Sequence, residues 1–75
     1  MATNEPSAGC AGLSSRQRDV ITLLARGYPM KEIAHRLGIT PRTVAFHKYD
    51  AMQRQGWRSN ADLFAFALSE GLLER

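Results

Sequence analysis

From residue 13 onward the apolar positions recur at helical spacing, and no stretch alternates as a strand would. Val20, Ile21, Leu23, Leu24 and Ala25 form one stripe behind Ser14 and Gln17, a capping box preceded by Leu13. Gly27 ends that first helix, and Arg16, Arg18 and Asp19 mark its wet side. Tyr28 and Pro29 turn the chain into a second helix, Met30 to Leu37, whose Ile33, Ala34 and Leu37 share a face. A third helix is predicted from Pro41 to about Gln55, stopped by Gly56. Trp57 and Arg58 lead to a fourth, capped by Ser59 with Asp62 three residues on. Leu63, Phe64, Ala67 and Leu68 are its expected buried stripe, and Gly71 closes it before Leu72 and Leu73. The pattern predicts an all-α domain of four helices over residues 13–75. The small, polar, Pro- and Gly-broken residues 1–12 read as a flexible tail or linker.

The connection between helices two and three is the most strongly marked point. Gly38 suits a left-handed helix end, Thr40 a cap, and Pro41 the first helical position, where its missing N–H is not needed. Ile39 and Val44 are spaced as a hydrophobic staple fixing the entry angle. Two helices joined by such a short turn containing Gly are a helix-turn-helix.

On the third helix, Val44, Ala51 and Gln55 fall on one side, flanked by His47 and Lys48. Arg42, Phe46, Tyr49 and Gln53 fall on the other, with Ala45 and Asp50 at its edges. Val44 is the only strong apolar anchor, so its side faces the core and two aromatics are left outside. In a DNA major groove Phe46 can pack on a thymine methyl and Tyr49 can reach a phosphate or base edge. The alternative is that one of them folds over against Trp57 or a neighbouring helix. On the fourth helix Phe66 falls opposite the buried stripe with Asp62, Ala65 and Ser69, either as a contact with a second copy or as a singly exposed aromatic.

Composition narrows the partner. A hydrophobic content of 44% lets 75 residues bury one small core. No apolar run approaches the roughly 18 residues that a membrane span needs, and no signal-peptide pattern opens the chain. The single Cys10 excludes an internal disulfide, which points to the cytoplasm. Net charge is +3. Residues 31–58 carry six Lys or Arg against Glu32 and Asp50, while residues 59–75 carry Arg75 against Asp62, Glu70 and Glu74. Basic charge thus gathers on the two-helix unit, as phosphate binding requires, although a solvated helix face would show the same excess. Lys31, in the first turn of the second helix, can meet a phosphate or stand exposed without a partner.

Nothing in the chain suggests catalysis. His35 and His47 lie on different helices with no Cys or carboxylate at ligand spacing, and there is neither a nucleophile–base pair nor a Gly-rich phosphate loop. The expectation is no enzyme, no cofactor and no metal. His47 reads as a half-buried residue able to touch a phosphate.

These residues resemble the LuxR-type helix-turn-helix domain of quorum-sensing regulators and NarL/FixJ response regulators. The resemblance covers about residues 13–73 and rests on Leu13-Ser14-x-Arg16, Lys31-Glu32-Ile33-Ala34, Leu37, Ile39-Thr40, Thr43-Val44 with His47, and the late Gly71-Leu72. It implies a third helix that enters the major groove and a fourth that joins a homodimer, here through Asp62, Ala65, Phe66 and Ser69. It further implies DNA-backbone contacts at Lys31, Thr40, Thr43 and His47, with Lys48 beside them and Arg54 where Lys is usual. Base readout falls to the outer face, here Ala45, Phe46 and Tyr49, and Arg42 and Gln53, which share that face by rotation, are expected to join it. Ala45 replaces a customary Lys, so readout shifts toward Phe46, Tyr49 and Arg42. Ala51 and Gln55 replace larger apolar residues, and Trp57, where Val is common, is expected to fill the missing volume.

The expected function is sequence-specific binding of double-stranded DNA, as a transcription regulator or its output domain. The alternative is a helix-turn-helix that docks on a protein of the transcription machinery such as RNA polymerase, with Phe46, Tyr49 and Phe66 as anchors.

Overall fold

The computed structural model describes residues 12–73, so the expected tail, Cys10 included, lies outside the described residues apart from Gly12. Four helices follow one another: α1 (Ser15–Ala25), α2 (Met30–Leu37), α3 (Pro41–Gln55) and α4 (Asn60–Ser69). Among the described residues there is no strand, and no helix is long and apolar enough to cross a membrane.

Each helix starts and stops for a local reason. At α1 the capping box forms in both directions: Gln17 N donates to Ser14 Oγ at 3.1 Å, and Ser14 N donates to Gln17 Oε1 at 2.9 Å. At α3, Thr40 Oγ1 accepts from Thr43 N at 3.1 Å, with Pro41 next in line. Such a cap is worth about 1 kcal/mol. At α4 the expected Ser59 cap does not form. With Ser59 fully extended (φ −151°, ψ 171°), the Asp62 carboxylate instead accepts from Arg58 N at 2.8 Å.

The helix exits share one device. After α2, Gly38 turns left-handed (φ 70°), Gly38 N donates to His35 O, and Ile39 N donates to Ala34 O at 3.0 Å. This paired closure satisfies carbonyls that a helix end leaves without partners. After α3 it recurs at Gly56, with Trp57 N donating to Met52 O at 2.9 Å. Tyr28 N to Leu23 O and Leu72 N to Ala67 O close α1 and α4 in the same way. The residues that follow the four turns are Tyr28, Ile39, Trp57 and Leu72, and all four are partly buried and pack against the core.

That core has two clusters. Val20, Ile33, Ala34 and Val44 pack α1, α2 and the start of α3 together, with Tyr28, Met30, Leu37 and Ile39 around them. Ile39 thus packs against the cluster that holds Val44, as the staple spacing predicts. Leu13, Ile21, Ala51 and Leu63 pack α1, the later part of α3 and α4, with Trp57, Phe66 and Leu72 around them. Leu24 touches both clusters. Burying a side chain such as Ile21, Ile33 or Leu63 stabilises the fold by about 1.5–3 kcal/mol. Trp57 packs in the cluster that holds Ala51, where its bulk was expected.

The fourth helix corrects the expected stripe. Phe66 was expected to stand on the outer face but is half-buried, its ring 4.9 Å from that of Trp57. Phe64 and Leu68, expected inside, are 41% and 66% exposed. At 100° per residue, Leu63, Ala67 and Phe66 span one narrow arc, and Phe64 and Leu68 fall about 100° further round than Leu63 and Ala67. Trp57, an aromatic outside the helix, covers the Phe66 flank of the arc.

Candidate nucleic-acid interface

α3 is held by its inner side at two points. Val44 is fully buried against α1 and α2, and Ala51, two turns on, is fully buried against α1 and α4. With both points fixed, the helix cannot roll about its axis, so the outward set of side chains is defined. Arg42, Phe46, Tyr49 and Gln53 are exposed, and Ala45 is half-buried at the edge, as the 100° rotation predicted. Phe46 is 63% and Tyr49 59% exposed. Neither folds over against Trp57. Phe46 meets the neighbouring His47 ring edge-on at 5.7 Å, and the Lys48 ammonium sits 5.1 Å from the centre of the Tyr49 ring.

The polar residues around that face divide by what already occupies them. Among the described residues, Lys31 and Arg42 are exposed and make no ion pair. Both side chains are therefore available to an anion, Lys31 from the first turn of α2 and Arg42 from the first turn of α3. Arg36, in contrast, is bound to Glu32 at 3.1 Å and lies over the Tyr28 ring at 4.3 Å, so it serves the scaffold. Thr40 and Thr43 share a hydroxyl–hydroxyl bond of 3.0 Å. One of the two hydrogens is spent there and the other remains for an outside acceptor. Arg54 is exposed and bound through Nε to Asp50 at 3.1 Å.

His47 has a more specific geometry. Its Nδ1 is buried and has no hydrogen-bond partner. A buried N–H without an acceptor is costly, so the ring is best accommodated with its hydrogen on Nε2. That tautomer leaves Nε2–H as the donor.

A contact absent from the sequence reading lies behind the helix. Gln17, at 5% exposure the one buried polar residue among those described, donates through Nε2 to Asp50 Oδ2. The capping box hinted at Gln17, but nothing local in the sequence pairs residue 17 with residue 50. On α4, Asp62, Ala65 and Ser69 are exposed as expected, beside a shallow depression lined by Gly56, Trp57 and Phe66. No group of three or more His, Cys, Asp or Glu able to hold a metal occurs among the described residues.

A Gly-closed turn between α2 and a clamped α3, with an outward polar and aromatic face on α3, defines a helix-turn-helix domain of the DNA-binding kind. Residues 11–67 match the bacterial regulatory proteins of the luxR family, and the chain belongs to that family. It is similar to the oxygen regulatory protein NreC of Staphylococcus aureus strains JH9, JH1 and USA300, with 40% identity over 62 residues in each. The match covers 83% of this chain but 29% of each relative, so the chain spans less than a third of the length of these regulators.

Proposed function

We propose that this domain binds double-stranded DNA sequence-specifically and serves as the DNA-binding part of a transcription regulator. α3 enters the major groove; Arg42, Ala45, Phe46, Tyr49 and Gln53 face the bases, while Lys31, Thr40, Thr43, His47, Lys48 and Arg54 hold the backbones. The observation that carries this reading is the outer face of α3, where two widely exposed aromatics stand beside Arg42, a cation with no intramolecular partner among the described residues. An α-helix with its side chains is about 10–12 Å across, and a major groove about 12 Å wide admits it. Family membership supports the same reading, as does likeness to a regulatory protein.

Two copies are proposed to meet through α4 on a repeated half-site. Asp62, Ala65 and Ser69 are exposed for such a contact, while Phe66 contributes only the edge it shows beside Trp57. A second reading, docking on a protein such as RNA polymerase, is favoured by the same exposure of Phe46 and Tyr49. The two separate on salt. In an NMR titration with a short mixed-sequence duplex, DNA binding moves amides in residues 40–54 and at Lys31 and fades as salt rises. A folded domain whose amides stay still at low salt would leave the protein partner as the better reading.

A further inference from the structure

Asp50 is out of place on a helix that faces a polyanion. It lies one residue from Tyr49 and its side chain is 28% exposed. A carboxylate there repels phosphates, and the electrostatic demand of the surface would be met better by an amide. Its contacts give it a different role. Gln17 uses both ends of its amide: Oε1 accepts from Ser14 N at 2.9 Å, and Nε2 donates to Asp50 Oδ2. That same oxygen accepts from Arg54 Nε at 3.1 Å. A buried residue on the scaffold helix therefore fixes the carboxylate, and the carboxylate fixes the arginine one turn along.

We propose that Asp50, oriented by Gln17, is a positioning residue that presents Arg54 to a DNA phosphate. The inference rests on the DNA-binding reading and deepens it. Only Nε of the guanidinium is engaged, which leaves its four Nη hydrogens for a phosphate, the group whose paired oxygens suit that fork. Without Asp50, Arg54 is a flexible side chain, 62% exposed, that must be ordered when it binds. The Gln17 amide is essential to the arrangement, because a carboxylate at position 17 would meet Asp50 with like charge and no hydrogen to donate.

The test uses the sign of the effect. Asp50→Ala removes both the negative charge and the oxygen that Gln17 and Arg54 share, and circular dichroism melting checks that the variant folds. If Asp50 were a charge near DNA and nothing more, its removal would tighten binding. Positioning requires the reverse. Fluorescence anisotropy of a labelled mixed-sequence duplex, followed across salt, should show Asp50→Ala binding several-fold more weakly than wild type. Its plot of log affinity against log salt should be shallower by about 0.9, one phosphate contact. Arg54→Ala should show the same loss, and the double variant should be no worse than Arg54→Ala alone. A folded Asp50→Ala that binds as tightly as wild type or tighter, with an unchanged slope, overturns the proposal while leaving DNA binding intact. Wild-type binding that is absent, or indifferent to salt, overturns the DNA reading itself.

Discussion

The ring of Trp57 lies 4.9 Å from that of Phe66, centroid to centroid, with the two planes tilted by 51°. This pair joins the exit of α3 to the middle of α4 and covers the cluster of Leu13, Ile21, Ala51 and Leu63. Ala51 is too small to fill that space alone, and the indole does so from outside the helix. Fully buried Trp-to-Ala changes cost about 3–5 kcal/mol. Trp57→Ala at a half-buried site should cost about 3 kcal/mol in urea unfolding followed by circular dichroism; a loss under about 1 would show that the indole is ornamental to the core.

Phe66 and Leu68 should respond in opposite ways. Phe66→Ser removes the partner of Trp57 and is expected to lower the stability of a single copy by about 2 kcal/mol. Leu68→Ser, at a site 66% exposed, should leave it within about 0.5 kcal/mol. If α4 pairs two copies through its exposed apolar flank, Leu68→Ser will instead weaken self-association in sedimentation equilibrium. Unchanged association would keep the contact on the proposed Asp62, Ala65 and Ser69 side, and a loss would move it to the apolar flank.

Gly38 offers a clean test of the turn. A Cβ there would meet nothing within 4 Å, so Gly38→Ala carries a backbone penalty without a clash. At φ 70° that penalty is about 1–2 kcal/mol, visible as a lower unfolding midpoint. No loss of stability would mean that the α2–α3 turn relaxes freely, contrary to its paired closure.

Reading and holding of DNA should come apart in binding assays. Phe46→Ala and Tyr49→Ala are expected to reduce discrimination between duplex sequences while keeping stability and the salt slope, since neither side chain is in the core nor neutralises a phosphate. Lys31→Ala should weaken all duplexes alike and reduce the slope by about 0.9. A Phe46→Ala protein with full sequence preference would move readout to Arg42 and Gln53.

The parts of this fold legible in the sequence are those set by neighbours along the chain. The Ser14–Gln17 box and the Gly38–Thr40–Pro41 turn each lie within a few residues, and each is present; Ile39, at staple spacing from Val44, packs against that residue's cluster. The two faces of α3 followed from rotation alone, because Val44 left no choice about which side is buried. α4 was harder. Leu63, Phe64, Phe66, Ala67 and Leu68 surround much of that helix with apolar side chains, so periodicity could not say which flank is covered; Trp57, from the preceding turn, covers the Phe66 flank. The Gln17–Asp50 bond was illegible for a related reason, since its two ends come together only after α1 and α3 have packed.

The shared closure of the helices has a consequence for how such a domain can diverge. Each turn sets its next residue, Tyr28, Ile39, Trp57 or Leu72, half-buried against the core. An insertion in any of these turns would withdraw that side chain, so the connections have no slack in which a new recognition loop could grow. The outward positions of α3 carry no such obligation. New target preferences are therefore accessible by replacing side chains on an unchanged frame, one outward position at a time.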